Sequence, residues 1–232
     1  RPTVPVCQEA SKIETLKKEC EVVGLYLSAH PLDEYKYILE NMCSATLSEL
    51  KDISNSKPRD ISVGGMVKEV TNLVSKKGSP YGSFTLEDYS GETHKFSLFG
   101  KAYENLRKYL FDDYMLYVKG KIQPRRFQPK DSVSDRPSME LVISSIMQLH
   151  EVEEHIKEMF ITLPLAELTD KLADSIIERV KKSKGKTTLR IKIVDFENNV
   201  AVQMYSKSYK VSIRDMIDFC KENGLEDKFS IK

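Results

Sequence analysis

The stretch that most constrains this chain is 75–100, SKKGSPYGSFTLEDYSGETHKFSLFG. A loop with two lysines and a glycine opens it, and two alternating runs follow, joined by Tyr89-Ser90-Gly91. In 81–88, Phe84 and Leu86 fall on one face and Ser83, Thr85 and Glu87 on the other. In 92–99, Phe96 and Leu98 share a face with His94, opposite Lys95 and Ser97. A period of two predicts half-buried strands, and the Ser90-Gly91 turn predicts that they pair as a hairpin. The rest of the region must then build a sheet around that hairpin.

Residues 61–74 read as a long first strand, broken at Gly64-Gly65, where a bulge or sharp bend is expected. Residues 100–110 read as a helix with Tyr103, Leu106 and Leu110 in one stripe. A fourth strand, 114–122, points Leu116, Val118 and Gly120 one way and Tyr117, Lys119 and Lys121 the other. A polar loop over 123–137 carries three prolines, and 139–149 closes the set as a fifth strand. Strand-strand-strand-helix-strand-strand is the order of an OB-fold barrel.

On the N-terminal side, Pro2 and Pro5 mark 1–11 as a tail. A helix starts at Ser11, with Glu14 completing a capping box. Its stripe is Ile13, Leu16, Cys20, Val23 and Leu27, ending near His30-Pro31 because the residue before proline leaves helical geometry. A second helix covers 32–42, one more turn covers 46–51, and 54–58 reads as a linker. After His150 come an acidic helical connector (151–158), a strand (160–165) and a helix (169–182) with Leu172, Ile176, Ile177 and Val180 inward, ended by Gly185. A hairpin (187–194 with 200–205), a short strand (209–212), a helix (213–223) capped by Ser212 and stopped by Gly224, and an edge strand (228–231) complete the chain. The expected fold is therefore multidomain and mixed. A helical segment with linkers spans 1–58, a five-stranded OB-fold β-barrel spans 59–150, and a small α+β domain spans 151–232.

The 232 residues carry a formal net charge of only +1. Residues 61–150 hold thirteen basic against ten acidic side chains, and 151–232 hold fifteen of each. Binding to a polyanion must come from local placement of charge, since the balance is even. Cys7, Cys20, Cys43 and Cys220 show no paired spacing, which argues against a zinc or redox site and fits a reducing cytosol. No apolar run approaches the ~20 residues of a membrane span. A chain opening Arg1-Pro2 without methionine reads as a piece of a longer one.

The residues that carry chemistry cluster on the barrel. The loops after the first and fourth strands flank the binding face of an OB-fold. Lys76 and Lys77 lie in the first loop, and Arg125, Arg126 and Phe127 in the second. Together with Lys95, Lys119 and Lys121 these cations can track phosphates, while Tyr81, Tyr117 and Phe127 can stack bases. The plainer alternative is that the lysines are only solvated and that Tyr117 packs on a neighbour. His150 and His155, among Glu151, Glu153 and Glu154, lack a third positioned ligand and read as a solvated connector, so no metal is assigned. Glu87-Asp88 point to opposite faces of a strand, and Asp112-Asp113 suit a turn. No phosphate-cradling loop of the Walker type and no GxSxG motif appears, so no catalytic residue and no cofactor is assigned. His30-Pro31-Leu32-Asp33 reads as a helix–break–helix corner in which His30 caps the second helix or pins the corner to the barrel.

The run 23–35, VGLYLSAHPLDEY, resembles the GxYLSxHPLDxY stretch that precedes the OB domain of the bacterial replicative DNA polymerase III alpha subunit. Gly65 with the valines after it, Lys77-Gly78, 84–88 (FTLED), Ser90-Gly91 and 96–99 continue the resemblance in order and spacing. It implies a non-catalytic part of a DNA-directed DNA polymerase (a nucleotidyltransferase) of the bacterial cytoplasm. The family's catalytic aspartates lie upstream of this region, and Gln8-Glu9-Ala10 does not fit its clamp-binding peptide. It further implies three partners: single-stranded DNA at the barrel, the clamp loader tau subunit at the C-terminal domain, and the rest of the polymerase chain. Candidate tau contacts are Phe196, Met204, Tyr205, Tyr209, Met216 and Phe219. The alternatives are a protein-interaction module whose barrel is a spacer, and an anticodon- or RNA-binding OB appendage.

Overall fold

Local chain chemistry sets the ends of the first helices. In the computed structural model, which describes residues 12–24, 26–76, 78–125 and 138–232, α1 (Lys12–Val23) stops earlier than its apolar stripe suggests. Gly24 takes φ +84°, a left-handed geometry open to glycine, and its N–H closes the last turn on the Cys20 carbonyl at 2.8 Å. Val23 and Leu27 are exposed. The proposed Ser11 cap, the 1–11 tail and Cys7 lie outside the described residues. A 3-10 turn over Asp33–Tyr35 leads into α2 (Lys36–Met42), and a longer 3-10 segment covers Ser48–Asn55. Cys20, Cys43 and Cys220 are free thiols. None of the described helices is long and apolar enough to cross a membrane.

The described residues fall into two compact units: those up to Leu39 with Cys43–Leu149, and Glu40–Met42 with His150–Lys232. The first is built on β1 (Arg59–Val74), β2 (Pro80–Glu87), β3 (Thr93–Phe99), β4 (Met115–Pro124) and β5 (Met139–Gln148), with α3 (Gly100–Leu106) between β3 and β4. The five strands form one antiparallel sheet in the order β3-β2-β1-β4-β5. Its core holds Val63, Val67, Phe84, Leu86, Phe96, Leu98, Leu116 and Val118. The Phe84 and Phe96 rings stack there at 5.1 Å.

β1 serves two partners, pairing Arg59–Met66 with β4 and Met66–Val74 with β2. The expected bulge is not at Gly64-Gly65, where the β1–β4 register runs unbroken. It falls between Val67 and Glu69, just past the change of partner. The glycines answer a different need. A Cβ on Gly64 would lie 2.4 Å from Leu39 Cδ2, and one on Gly65 would lie 2.3 Å from the Glu87 carbonyl oxygen.

The second unit has β6 (Glu158–Pro164), β7 (Thr188–Asp195), β8 (Val200–Tyr205) and β9 (Phe229–Ile231) in the order β8-β7-β6-β9, with β6 and β7 parallel. α4 (Leu149–His155) precedes it. α5 (Asp170–Lys182) and α6 (Ile213–Glu222) join its strands. Thr169 caps α5, its Oγ1 accepting from the Leu172 N–H at 3.2 Å. α5 ends at Lys182 as expected, but through an extended Ser183 and not through Gly185. Gly185 instead passes so close to Val211 that a Cβ would meet the Val211 carbonyl oxygen at 2.1 Å. Of the inward residues expected on α5, Ile177 is 49% exposed. The expected 209–212 strand reduces to one bridge, Thr187 to Val211.

Candidate nucleic-acid interface

Side chains on the outer face of β1, β2 and β3 are aligned by the register. Leu73 lies opposite Tyr81, and Tyr81 opposite Phe99. Thr71, Ser83 and Ser97 form the next row, and Glu69, Thr85 and Lys95 the one after. The Tyr81 and Phe99 rings stack at 5.6 Å with a 19° interplanar angle, and Phe99 is 64% exposed. An apolar ring left in water at the end of an edge strand, stacked on its neighbour, is a ready stacking surface. Phe99 was not among the residues singled out from the sequence. The signal was present, because the period of two through Lys95 and Ser97 carries on to Phe99.

The structure brings part of the candidate set to this face. Lys76 is exposed in the 75–79 turn that joins Leu73 to Tyr81, a turn closed by Ser75 N–H to Ser79 O at 2.9 Å. Lys95, Phe99 and Arg125 border one 660 Å³ cleft between the edge strands β3 and β5. Lys77, Arg126 and Phe127 lie outside the described residues. Lys119 and Lys121 are exposed but stand on β4, which pairs with β1 and β5 and not with β2 or β3. Lys119 lies 5.5 Å from the Tyr117 ring centre, and Lys121 faces Asp60 and Val142.

Tyr117 requires a correction. It is 3% exposed and offers no ring to a base. The outer face of β1 and β4 is covered at this level: Ser44 N–H donates to Ser62 O at 2.9 Å, and Cys43 Sγ lies against Gly64, the register partner of Tyr117. Burial pushes the Tyr117 phenol above its usual range. Alternation alone cannot show that another segment covers a strand's outer face.

The His30-Pro31-Leu32-Asp33 corner is pinned to the β2–β3 turn. His30 Nδ1 accepts from the Leu32 N–H at 3.1 Å, and the His30 N–H donates to Asp33 Oδ2 at 2.8 Å. The imidazole packs against Tyr26 and Tyr89, and the Tyr89 hydroxyl donates to Asp33 Oδ1 at 2.6 Å. His94 lies beside Phe96 at 4.8 Å. Burial holds both His30 and His94 below the ordinary histidine value of 6.5. The unfolded chain therefore takes up protons near that value which the folded chain refuses. Stability is full above it and is lost as pH falls through it toward the folded values. Thermal melts at about pH 7.5 and about pH 5.5 are expected to give a lower Tm in acid, with a smaller drop in His94→Gln. Equal Tm values would contradict this.

In the second unit, Phe196, Met204, Tyr205 and Tyr209 are exposed, whereas Met216 is 0% and Phe219 3% exposed. The last two are core residues of α6 and present no surface to a partner. The expectation failed because a helix stripe of Ile213, Met216, Ile217 and Cys220 buries Phe219 with it. A 280 Å³ apolar groove runs between α5 and the β7–β8 sheet, lined by Ile177, Val180, Ile191, Met204 and Tyr209. His155 is held by α4 itself, Nδ1 meeting the Glu151 carbonyl at 2.5 Å. No group of three or more metal-binding side chains occurs among the described residues.

Two family models match this architecture: an OB-fold nucleic acid binding domain over residues 61–149, and the C-terminal domain of the DNA polymerase III alpha subunit over 159–231. The DNA polymerase III subunit alpha of Pseudomonas fluorescens is 32% identical over 50% of this chain and 9% of its own length. That of Pasteurella multocida is 33% identical over 54% and 11%. That of Borreliella burgdorferi is 26% identical over 95% and 18%. The chain thus spans between 9% and 18% of these relatives. A mitochondrial single-stranded DNA binding protein of S. cerevisiae, Rim1, is 18% identical over 40% of this chain and 97% of its own, with a TM-score of 0.29, too low to add to the strand order. The two family models in succession, with one relative matched along nearly the whole chain, support a C-terminal region of a DNA polymerase III alpha subunit.

Proposed function

We propose that this chain is a non-catalytic part of a replicative polymerase whose barrel guides single-stranded DNA and whose C-terminal unit docks the tau subunit of the clamp loader. The observation that carries the first half is the Leu73–Tyr81–Phe99 row, solvent-facing on the sheet surface that OB-folds use, with Lys76 and Lys95 beside it. Rings stack bases without regard to sequence, and lysines follow the phosphates. A regional excess of three positive charges supports guiding a strand held elsewhere over capturing one alone.

The test is anisotropy of a labelled oligothymidylate at two salt concentrations. Phe99→Ala is expected to weaken binding by about 1–3 kcal/mol, the worth of one stacked base, without changing the salt slope. Lys76→Glu is expected to lower that slope by about one unit. If neither variant changes binding, the barrel is a spacer and the first half fails.

For the docking half, the apolar groove beside Ile177 and Met204 supports a partner on the helical side of the sheet. Ile177→Glu is expected to abolish capture of the clamp loader while leaving oligonucleotide binding intact. Undiminished capture removes the groove from the interface.

A further inference from the structure

The C-terminal sheet has two unlike faces. Met159, Ile161, Leu163 and Leu189 are buried on the face toward α5 and α6. The alternate residues form the other face, where register joins one side chain from each strand into a row: Ser230 of β9, Phe160 of β6, Arg190 of β7 and Tyr205 of β8. The Arg190 guanidinium lies between two rings, 5.9 Å from the centre of Phe160 and 5.1 Å from that of Tyr205. Glu158 fixes it from the side at 2.6 Å. Tyr205 is therefore held flat on one side by a cation and is still 50% exposed.

Positive charge collects around this row. Lys192 follows Arg190 on the same face and is exposed. Lys232 places Nζ 5.2 Å from the Phe160 ring centre, and Lys210 Nζ reaches Thr188 Oγ1 at the start of β7. The Glu158 carboxylate is held below its usual range by Arg190 first, with Lys232 and Lys210 adding to the effect. The domain as a whole is neutral, with fifteen charges of each sign, yet Arg190, Lys192, Lys210 and Lys232 gather at this row.

We infer that this open sheet face is a second binding site for single-stranded nucleic acid, separate from the barrel, with Tyr205 and Phe160 as stacking surfaces and Lys192, Lys210 and Lys232 as phosphate contacts. A four-stranded sheet with helices behind it and aromatic side chains across its open face suits splayed bases, because each ring offers a flat apolar surface and flanking cations neutralise the backbone. Tyr205 is well placed for this because its ring is already immobilised, so stacking a base costs little further ordering. Neighbouring strand residues point to opposite faces. Met204 therefore points toward the helical side, and Tyr205 touches the apolar groove there only as one of its border residues while its ring lies on Arg190.

The test uses the full chain carrying Phe99→Ala, so that the barrel row is weakened and the remaining affinity reports on other sites. Adding Tyr205→Ala is expected to weaken oligothymidylate binding by about five-fold or more, the lower end for losing one stacked base. Lys192→Glu should weaken it and reduce the salt slope. Duplex DNA of the same length should be affected less by Tyr205→Ala than the single strand, since its bases are not free to stack. Photo-crosslinking of a bromodeoxyuridine oligonucleotide to the unmutated chain should label a peptide containing Phe160 or Tyr205. Unchanged affinity in both added variants, an equal loss for duplex and single strand, or labels confined to the barrel would each overturn the assignment. A loss confined to Phe99→Ala leaves the barrel reading standing and removes this one.

Discussion

Gly185→Ala is expected to be among the most damaging single-methyl changes in the C-terminal unit. The added Cβ would lie 2.1 Å from the Val211 carbonyl oxygen, 2.3 Å from its carbon and 2.4 Å from the Ser212 nitrogen. All three are backbone atoms, so no side chain can swing away. Relief requires Val211 to move, and Val211 is fully buried and bridged to Thr187 through Thr187 N–H to Val211 O at 3.2 Å and Val211 N–H to Thr187 O at 2.9 Å. Thr187 is itself tied to the Ile156 carbonyl through Oγ1 at 3.1 Å. Overpacking of this kind costs about 3 kcal/mol or more where backbone must give way, a large share of the ~5–15 kcal/mol that holds a domain together. Hydrogen exchange should show faster amide exchange at Thr187 and Val211, and a thermal melt should show a Tm lowered by roughly 10 °C. Native exchange at both amides would refute the argument.

Gly65→Ala is expected to act with similar force in the barrel. Its Cβ would meet the Glu87 carbonyl oxygen at 2.3 Å, the Glu87 carbon at 2.9 Å and Leu86 Cγ at 2.9 Å. The position is critical because Met66, the next residue, is where β1 changes partner, pairing with Met115 of β4 and Glu87 of β2. A methyl there forces β2 off β1 at the point where the sheet curls. The penalty is again about 3 kcal/mol or more. It should also reach function, since β1 and β2 carry Leu73 and Tyr81 in one register. Gly65→Ala should therefore lower both the Tm and oligonucleotide affinity, whereas Phe99→Ala lowers affinity alone. A Gly65→Ala chain with native Tm would show that β2 can yield without loss.

These two glycines show where sequence reading stops. Both were noticed as breaks, one as a bulge in β1 and one as the stop of α5, and both are instead close approaches of backbone to backbone. A glycine in a string carries no mark of what lies above it. Tyr117 failed for the same reason: its place in the alternation was correct, but Cys43 and Ser44 cover that part of the outer face. Ile177 erred in the other direction. It belongs to the apolar stripe of α5, yet that edge of the helix overhangs the β7–β8 sheet and stays exposed.

What the sequence determined by itself is what neighbours along the chain decide among themselves. The period of two in β2 and β3 set which residues face the core and placed Lys95 and Ser97, and with them Phe99, on the outer face. The Thr169 cap and the Ser90-Gly91 turn are contacts within a few residues, and each lies where the local chemistry put it. Tertiary structure decided which strands became partners, and therefore which distant side chains share a row. Leu73, Tyr81 and Phe99 meet only because β1 and β3 both pair with β2. Phe160, Arg190 and Tyr205 meet only because β7 pairs with both β6 and β8. Stacking and cation–π contacts act over a few ångströms, and a distance of that size between residues thirty apart in the chain is created by folding alone.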